Sequence, residues 1–175
     1  MIEIRTATAT DAAALAELAA ATFALACPPH TSAESIAAFL GAVLAEGNFD
    51  AYLADPDRLI LVAEEDGGML GYTMLVFAEP ADDDARAAAT IRPTAELSKC
   101  YLRAETHGRG VATELMTATL DAARARGAAG SWLGVNQENA RAIRFYQKNG
   151  FTTVGEKRFL VGGRYEDDFV LERAL

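Results

Sequence analysis

The chain has 175 residues, about half of them apolar, with 16 basic and 25 acidic side chains and a net charge of -9. That length and apolar content fit one domain with one core and exclude a disordered chain. The negative balance repels nucleic-acid backbones, no secretory leader is legible, and no apolar stretch reaches the roughly 20 residues of a membrane span, so a cytoplasmic protein without nucleic-acid or membrane partners is expected.

Residues 2–5 alternate apolar and charged, which predicts a strand. Thr10 is placed to cap a helix, with Asp11 in its first turn and Leu15, Leu18 and Thr22 on one face. Pro28-Pro29 breaks the chain. Thr31-Ser32-Ala33-Glu34 fits a capping box, and Ile36, Phe39, Leu40, Val43 and Leu44 follow at helical spacing until Gly47-Asn48 ends that helix. Strands at 59–63 and 69–77 flank Glu65-Asp66-Gly67-Gly68 and predict a hairpin. Residues 79–93, with consecutive aspartates at Asp82, Asp83 and Asp84, read as a polar surface loop.

The second half is more regular. A strand at 96–102 precedes a glycine-opened helix at 108–126, with Val111, Leu115, Ala118 and Ala122 on one face. A strand at 132–135 precedes a helix at 139–148 that Asn149-Gly150 closes. Residues 151–160, a Gly162-Gly163 turn and residues 165–171 make a closing hairpin. No repeat or linker interrupts this order, so residues 1–175 are expected to form a single domain. Cys27 beside Pro28 sits in a loop, and Cys100 inside an apolar run reads as a buried, inert thiol. Neither belongs to a disulfide framework or to a spacing that ligates metal, and no metal is expected.

The most informative segment runs Cys100-Tyr101-Leu102-Arg103-Ala104-Glu105-Thr106-His107-Gly108-Arg109-Gly110-Val111-Ala112-Thr113. A strand enters a glycine turn, and the turn opens a helix whose free N–H groups and partial positive charge suit a phosphate. A P-loop would need Lys-Ser or Lys-Thr after Gly110, and a dinucleotide fingerprint would need glycine where Thr113 stands. A pyrophosphate loop for acetyl-CoA is the third reading. A turn that merely starts a helix is the plain alternative.

Downstream, Asn136, Asn139, Ala142, Ile143, Tyr146, Gly150 and Phe151 form the pattern N-x-x-N-x-x-A-I-x-x-Y-x-x-x-G-F. The two segments together resemble the cofactor-binding motifs of the GNAT superfamily of N-acetyltransferases. In the first, His107 departs from the family's Gln or Arg, while Gly110 and Ala112 match. The resemblance implies an α+β fold of three layers, α/β/α. Its mixed, mostly antiparallel sheet has about six or seven strands and about four helices, and two parallel central strands splay apart.

It also implies acetyl-CoA as co-substrate, held by Cys100, Tyr101, Leu102, His107, Gly108, Arg109, Gly110, Val111, Ala112, Thr113, Asn136, Asn139 and Tyr146. Arg109, and with it Arg144 or Lys148, is expected to reach phosphates, although each is also an ordinary exposed helix charge. The amide near Leu102 is expected to polarise the acetyl carbonyl. Tyr146 is expected as the acid that protonates the leaving sulfur, and Glu96 as the base that takes the amine's proton. Ser98, Asp167 and Asp168 are candidates for acceptor contacts. The closing segment from Phe159 to Glu172 resembles bacterial GNATs of the PaiA type, which are linked to spermidine and spermine, so a small cationic amine is the expected acceptor. A homodimer is common in the family. A catalytically silent acyl-CoA-binding regulatory module is the alternative function.

Overall fold

The computed structural model describes residues 1–161 and 163–175, without the side chains of Phe159 and Val161. Gly162, half of the expected closing turn, lies outside the described residues. Seven strands form one sheet: β1 (Glu3–Thr6), β2 (Arg58–Glu65), β3 (Gly68–Val76), β4 (Thr94–Leu102), β5 (Gly130–Asn136), β6 (Thr152–Val161) and β7 (Arg164–Ala174). Their spatial order is β1-β2-β3-β4-β5-β7-β6. Every neighbouring pair is antiparallel except β4 and β5, which run parallel at the centre.

The helices are α1 (Ala12–Ala26), α2 (Ala33–Val43), α3 (Glu46–Ala54), α4 (Asp83–Ala88), α5 (Val111–Ala125) and α6 (Ala140–Lys148). On one face, α1 and α3 bury Leu15, Leu18, Phe23 and Phe49 against Val62, Tyr72 and Met74 of the sheet, and α2 packs behind them. On the other, Met116 and Leu120 of α5 meet Leu97, Leu133 and Leu171, with Phe145 and Tyr146 of α6 beside them. The sheet is therefore the middle of three layers, and its strands turn alternate residues to each face.

Two helices were not legible. Gly47-Asn48 does not end a helix: both residues lie inside α3. The Asn48 side chain accepts from the Ala45 N–H at 3.0 Å and donates to the Ala42 carbonyl at 3.1 Å. Full burial of Phe49 then outweighs the poor helix propensity of glycine, which costs about 1 kcal/mol. The aspartate run is the start of α4, not a loop. Asp82 caps it by accepting from the Ala85 N–H at 2.9 Å, and Asp83 and Asp84 sit where the helix dipole favours acid. Ala85 and Ala89 pack this short helix on Trp132 and Val170.

Caps also shift. Asp11, not Thr10, organises the first turn, accepting from the Thr8 N–H at 2.7 Å and pairing with Arg5 at 2.9 Å. Ser32, not Thr31, caps α2 by accepting from the Ser35 N–H at 3.0 Å. The segments Ala9–Ala26 and Ala33–Ala54 are long and apolar enough to pass for membrane spans by length and composition, which corrects the expectation that no stretch is. Alanine supplies that hydropathy, and here the first segment packs Leu15, Leu18, Ala19 and Phe23 on the sheet.

Candidate active site

The site begins where the central sheet opens. β4 and β5 pair only at Thr94–Gly130, Ala95–Ser131 and Glu96–Trp132, and the ladder stops there. On its other side β4 stays joined to β3, but Ser98 is an extra residue between the pairs Leu75–Leu97 and Met74–Lys99. Such a bulge bends the strand and sharpens its twist. It also puts Glu96 and Lys99, three residues apart in the chain, on the same face. Beyond the bulge, Arg103 donates its N–H to the Leu70 carbonyl on β3 at 2.8 Å. Strand alternation then turns the N–H groups of Leu102 and Cys100 toward the open β5 side.

The opening leads into a cavity of about 900 Å³. One end is walled by Thr106, His107, Gly108, Gly110, Ala112 and Thr113. Gly108 and Gly110 hold φ of 79° and 81°, a left-handed conformation that costs a side-chain-bearing residue roughly 1–2 kcal/mol. Nothing stands within 4 Å of the place where either would carry a Cβ. The turn is thus open above its backbone, and Gly110 is the N-cap that leads into the N–H groups of α5. An anionic phosphate fits this cradle. Arg109 departs from expectation: its guanidinium is tied to Glu65 at 2.5 Å, away from the cavity, and the Val111 side chain is buried in the core. Only the backbone of these two can serve a ligand there.

The opposite wall is the β5–α6 turn. Asn136 accepts from the Glu138 N–H at 2.9 Å, and Asn139 caps α6 by accepting from the Ala142 N–H at 3.1 Å. Each side-chain oxygen is used to shape the turn, which leaves the amide NH₂ for a ligand. Arg141, Arg144 and Lys148 lie at helical spacing on the cavity side of α6, giving an acidic chain one basic rim. Tyr146, from the same helix, brings its hydroxyl to the Cys100 thiol across the gap. Burial pushes the phenol well above its ordinary range, so it stays protonated at neutral pH. Burial likewise pushes the Cys100 thiol up to about 12, which keeps it from being a nucleophile.

A profile of the acetyltransferase (GNAT) family matches residues 19–151. An uncharacterized N-acetyltransferase of Mycobacterium tuberculosis is 45% identical over 166 residues, covering 95% of this chain and 99% of that protein. The chain belongs to the GNAT family of acetyltransferases. Solved members share its fold. The PaiA N-acetyltransferase of Thermoplasma acidophilum, in complex with coenzyme A, superposes with a TM-score of 0.79 at 22% identity, covering 100% of this chain and 99% of that one. YncA of Salmonella typhimurium, with its cofactor acetyl-CoA, superposes at 0.70 and 24% identity, covering 99% of this chain and 94% of that one.

In this GNAT acetyltransferase the far end of the cavity is a charged chamber on the α1–α3 face. Glu96 reaches it from β4, and burial raises its carboxyl, against the pull of Lys157 and Lys99. Lys99 is only 9% exposed, lies over the Tyr52 ring at 5.3 Å, and is lowered by burial to about 8. Asp168, of β7, and Lys157, of β6, face each other across the ladder. His30, from the α1–α2 loop, meets Glu166 at 2.8 Å and Glu138 at 3.6 Å at the margin.

The cavity thus brings together Glu96, Cys100, Tyr101, Leu102, His107, Gly108, Gly110, Ala112, Thr113, Asn136, Asn139 and Tyr146, and leaves out the side chains of Arg109 and Val111. Ser98 and Asp168 also line it; Asp167 does not. Arg141, Lys99, Lys157 and Glu166, which line it, were missed, as was His30, which only pairs with Glu166 at its margin. Arg141 was findable, since it shares a helical face with Arg144 and Lys148. The others carry no motif, because hairpin register and a loop excursion bring them in.

Proposed function

We propose that this enzyme acetylates the primary amine of a small cationic acceptor, such as a polyamine, by direct attack in a ternary complex. The observation that carries this reading is the open β4–β5 gap, with a protonated Tyr146 hydroxyl on one side and the Glu96 carboxylate on the other.

The residues fit acetyl-CoA. The glycine turn and the α5 N-terminus would take its pyrophosphate, helped by the basic rim of α6. Asn136 and Asn139 would bond its pantetheine arm, lying in the gap. When bound, acetyl-CoA supplies the activated acetyl group. Glu96, directly or through water, takes a proton from the acceptor's ammonium and frees the nitrogen lone pair. The Leu102 N–H, with that of Cys100 beside it, faces the negative charge that develops on the carbonyl oxygen. The freed nitrogen bonds the carbonyl carbon, Tyr146 donates its proton to the sulfur as the C–S bond breaks, and the second proton lost by the nitrogen restores the Tyr146 phenol. Cys100 holds the Tyr146 hydroxyl in place and forms no bond to the acetyl group.

The cationic acceptor is supported by Glu96, Glu166 and Asp168 on the chamber wall, outnumbering Lys99 and Lys157. A screen of spermidine, spermine, amino acids, aminoglycosides and peptide N-termini tests it. Turnover highest with polyamines or other multiply charged amines is expected. Turnover confined to amines without a second positive charge would refute the acceptor assignment.

A further inference from the structure

Asp168 is a buried carboxylate short of partners. It is 5% exposed yet forms part of the cavity wall. In the sheet it stands opposite Asn136 on β5 and Lys157 on β6, so the three side chains rise in a row from the face that carries Glu96. Its Oδ1 has no hydrogen-bond partner among the described residues. Its Oδ2 lies 3.9 Å from Lys157 Nζ, beyond hydrogen-bond reach. Buried carboxylates are normally bonded, and leaving one oxygen unmet is costly. A ligand that brings N–H donors removes that cost.

The strand beside this carboxylate leaves room for the Lys157 side chain. Gly134, two residues before Asn136 on β5, contributes no side chain to the same face. A Cβ there would stand 2.7 Å from Lys157 Cε and 3.2 Å from Asp168 Oδ2. Lys157 acts on two carboxylates at once, since it pulls down both Glu96 and Asp168. One ammonium therefore already acts on both carboxylates. Burial, with Glu166 and Asp167 adding negative charge, still holds Asp168 up at about 6. The carboxylate is charged at neutral pH but under-compensated, which is the state that draws in a second cation.

We propose that Asp168 binds the ammonium of the acceptor and so determines that the substrate is a cation. This rests on the cationic-amine reading above and names the residue that enforces it. Asp168 is the anchor and Glu96 the base.

Calorimetric titration of spermidine into the protein saturated with CoA tests this. Asp168→Asn is expected to weaken spermidine binding roughly ten- to hundredfold, the value of a hydrogen bond to a charged group, while CoA affinity stays unchanged. Steady-state assays should show the loss in KM for spermidine rather than in kcat. A readout on the wild type avoids any folding defect of the variant: carboxyl-carbon NMR should show the Asp168 titration moving down from about 6 when spermidine is added. Spermidine binding that is equal in wild type and Asp168→Asn, or an Asp168 titration that does not move, overturns the assignment and leaves the cationic reading standing. A wild type that binds no spermidine and acetylates only amines lacking a second charge overturns both.

Discussion

The glycine-turn end of the cavity, proposed to take the cofactor, is built from backbone, whereas the Glu96–Asp168 end, proposed to take the acceptor, is built from side chains. At the first, two glycines with positive φ, the N-terminus of α5 and the open edges of β4 and β5 present N–H groups whose positions are set by the fold. At the second, Glu96, Lys99, Lys157, Glu166 and Asp168 converge from β4, β6 and β7, and what they recognise depends on their identities. A backbone site tolerates sequence drift, so His107 can stand where the family's loop pattern has Gln or Arg. A side-chain site changes its substrate with one or two substitutions. One frame can therefore keep a donor and exchange acceptors.

Breaking the chemistry without touching either end gives the largest effect. Tyr146→Phe is expected to lower kcat roughly a hundredfold or more, the span of general acid catalysis, while acetyl-CoA binds within about threefold of wild type. Stopped-assay turnover and calorimetry on the same preparation check it. Turnover close to wild type would remove Tyr146 from the acid role.

The acceptor end should respond to pH. Glu96 must be deprotonated to act as a base, and burial raises its carboxyl above the ordinary 4.5. Asp168, raised to about 6, must be charged to hold an ammonium. Activity is therefore lost as pH falls through this region, well before ordinary carboxylates protonate. Glu96→Gln should lower kcat/KM roughly a hundredfold, the lower end of general base catalysis, and leave an acid limb near 6 that Asp168→Asn removes. A kcat/KM profile flat from pH 5 to 8 would contradict both roles.

The same division decides what the sequence made legible. The cofactor end is local: Gly108 to Ala112 and Asn136 to Tyr146 are continuous segments, and their caps and glycines are visible as letters. The strand–turn–helix reading followed from them. Their failures are local too. Arg109 was assigned to phosphates, but Glu65 from the β2–β3 hairpin captures it. Gly47-Asn48 and the aspartate run were misread because the burial of Phe49 and Ala85 is a tertiary fact that no turn propensity reports. The acceptor end is non-local. Asp168 meets Asn136 and Lys157 only through the register of β5, β7 and β6. His30 reaches Glu166 across 136 residues of chain. Periodicity places such residues on a face, but not beside one another.

The smallest of these effects bears on the largest claim, that the backbone of the β4–α5 turn holds the donor. Acetyl-CoA should be titrated into the wild type and into Gly110→Val, with NADH as comparator. The account predicts micromolar binding of acetyl-CoA to the wild type, no comparable binding of NADH, and roughly tenfold weaker acetyl-CoA binding to Gly110→Val, because valine is strained at a φ of 81°. Equal affinity in the two proteins, or NADH binding as tightly as acetyl-CoA, would contradict it.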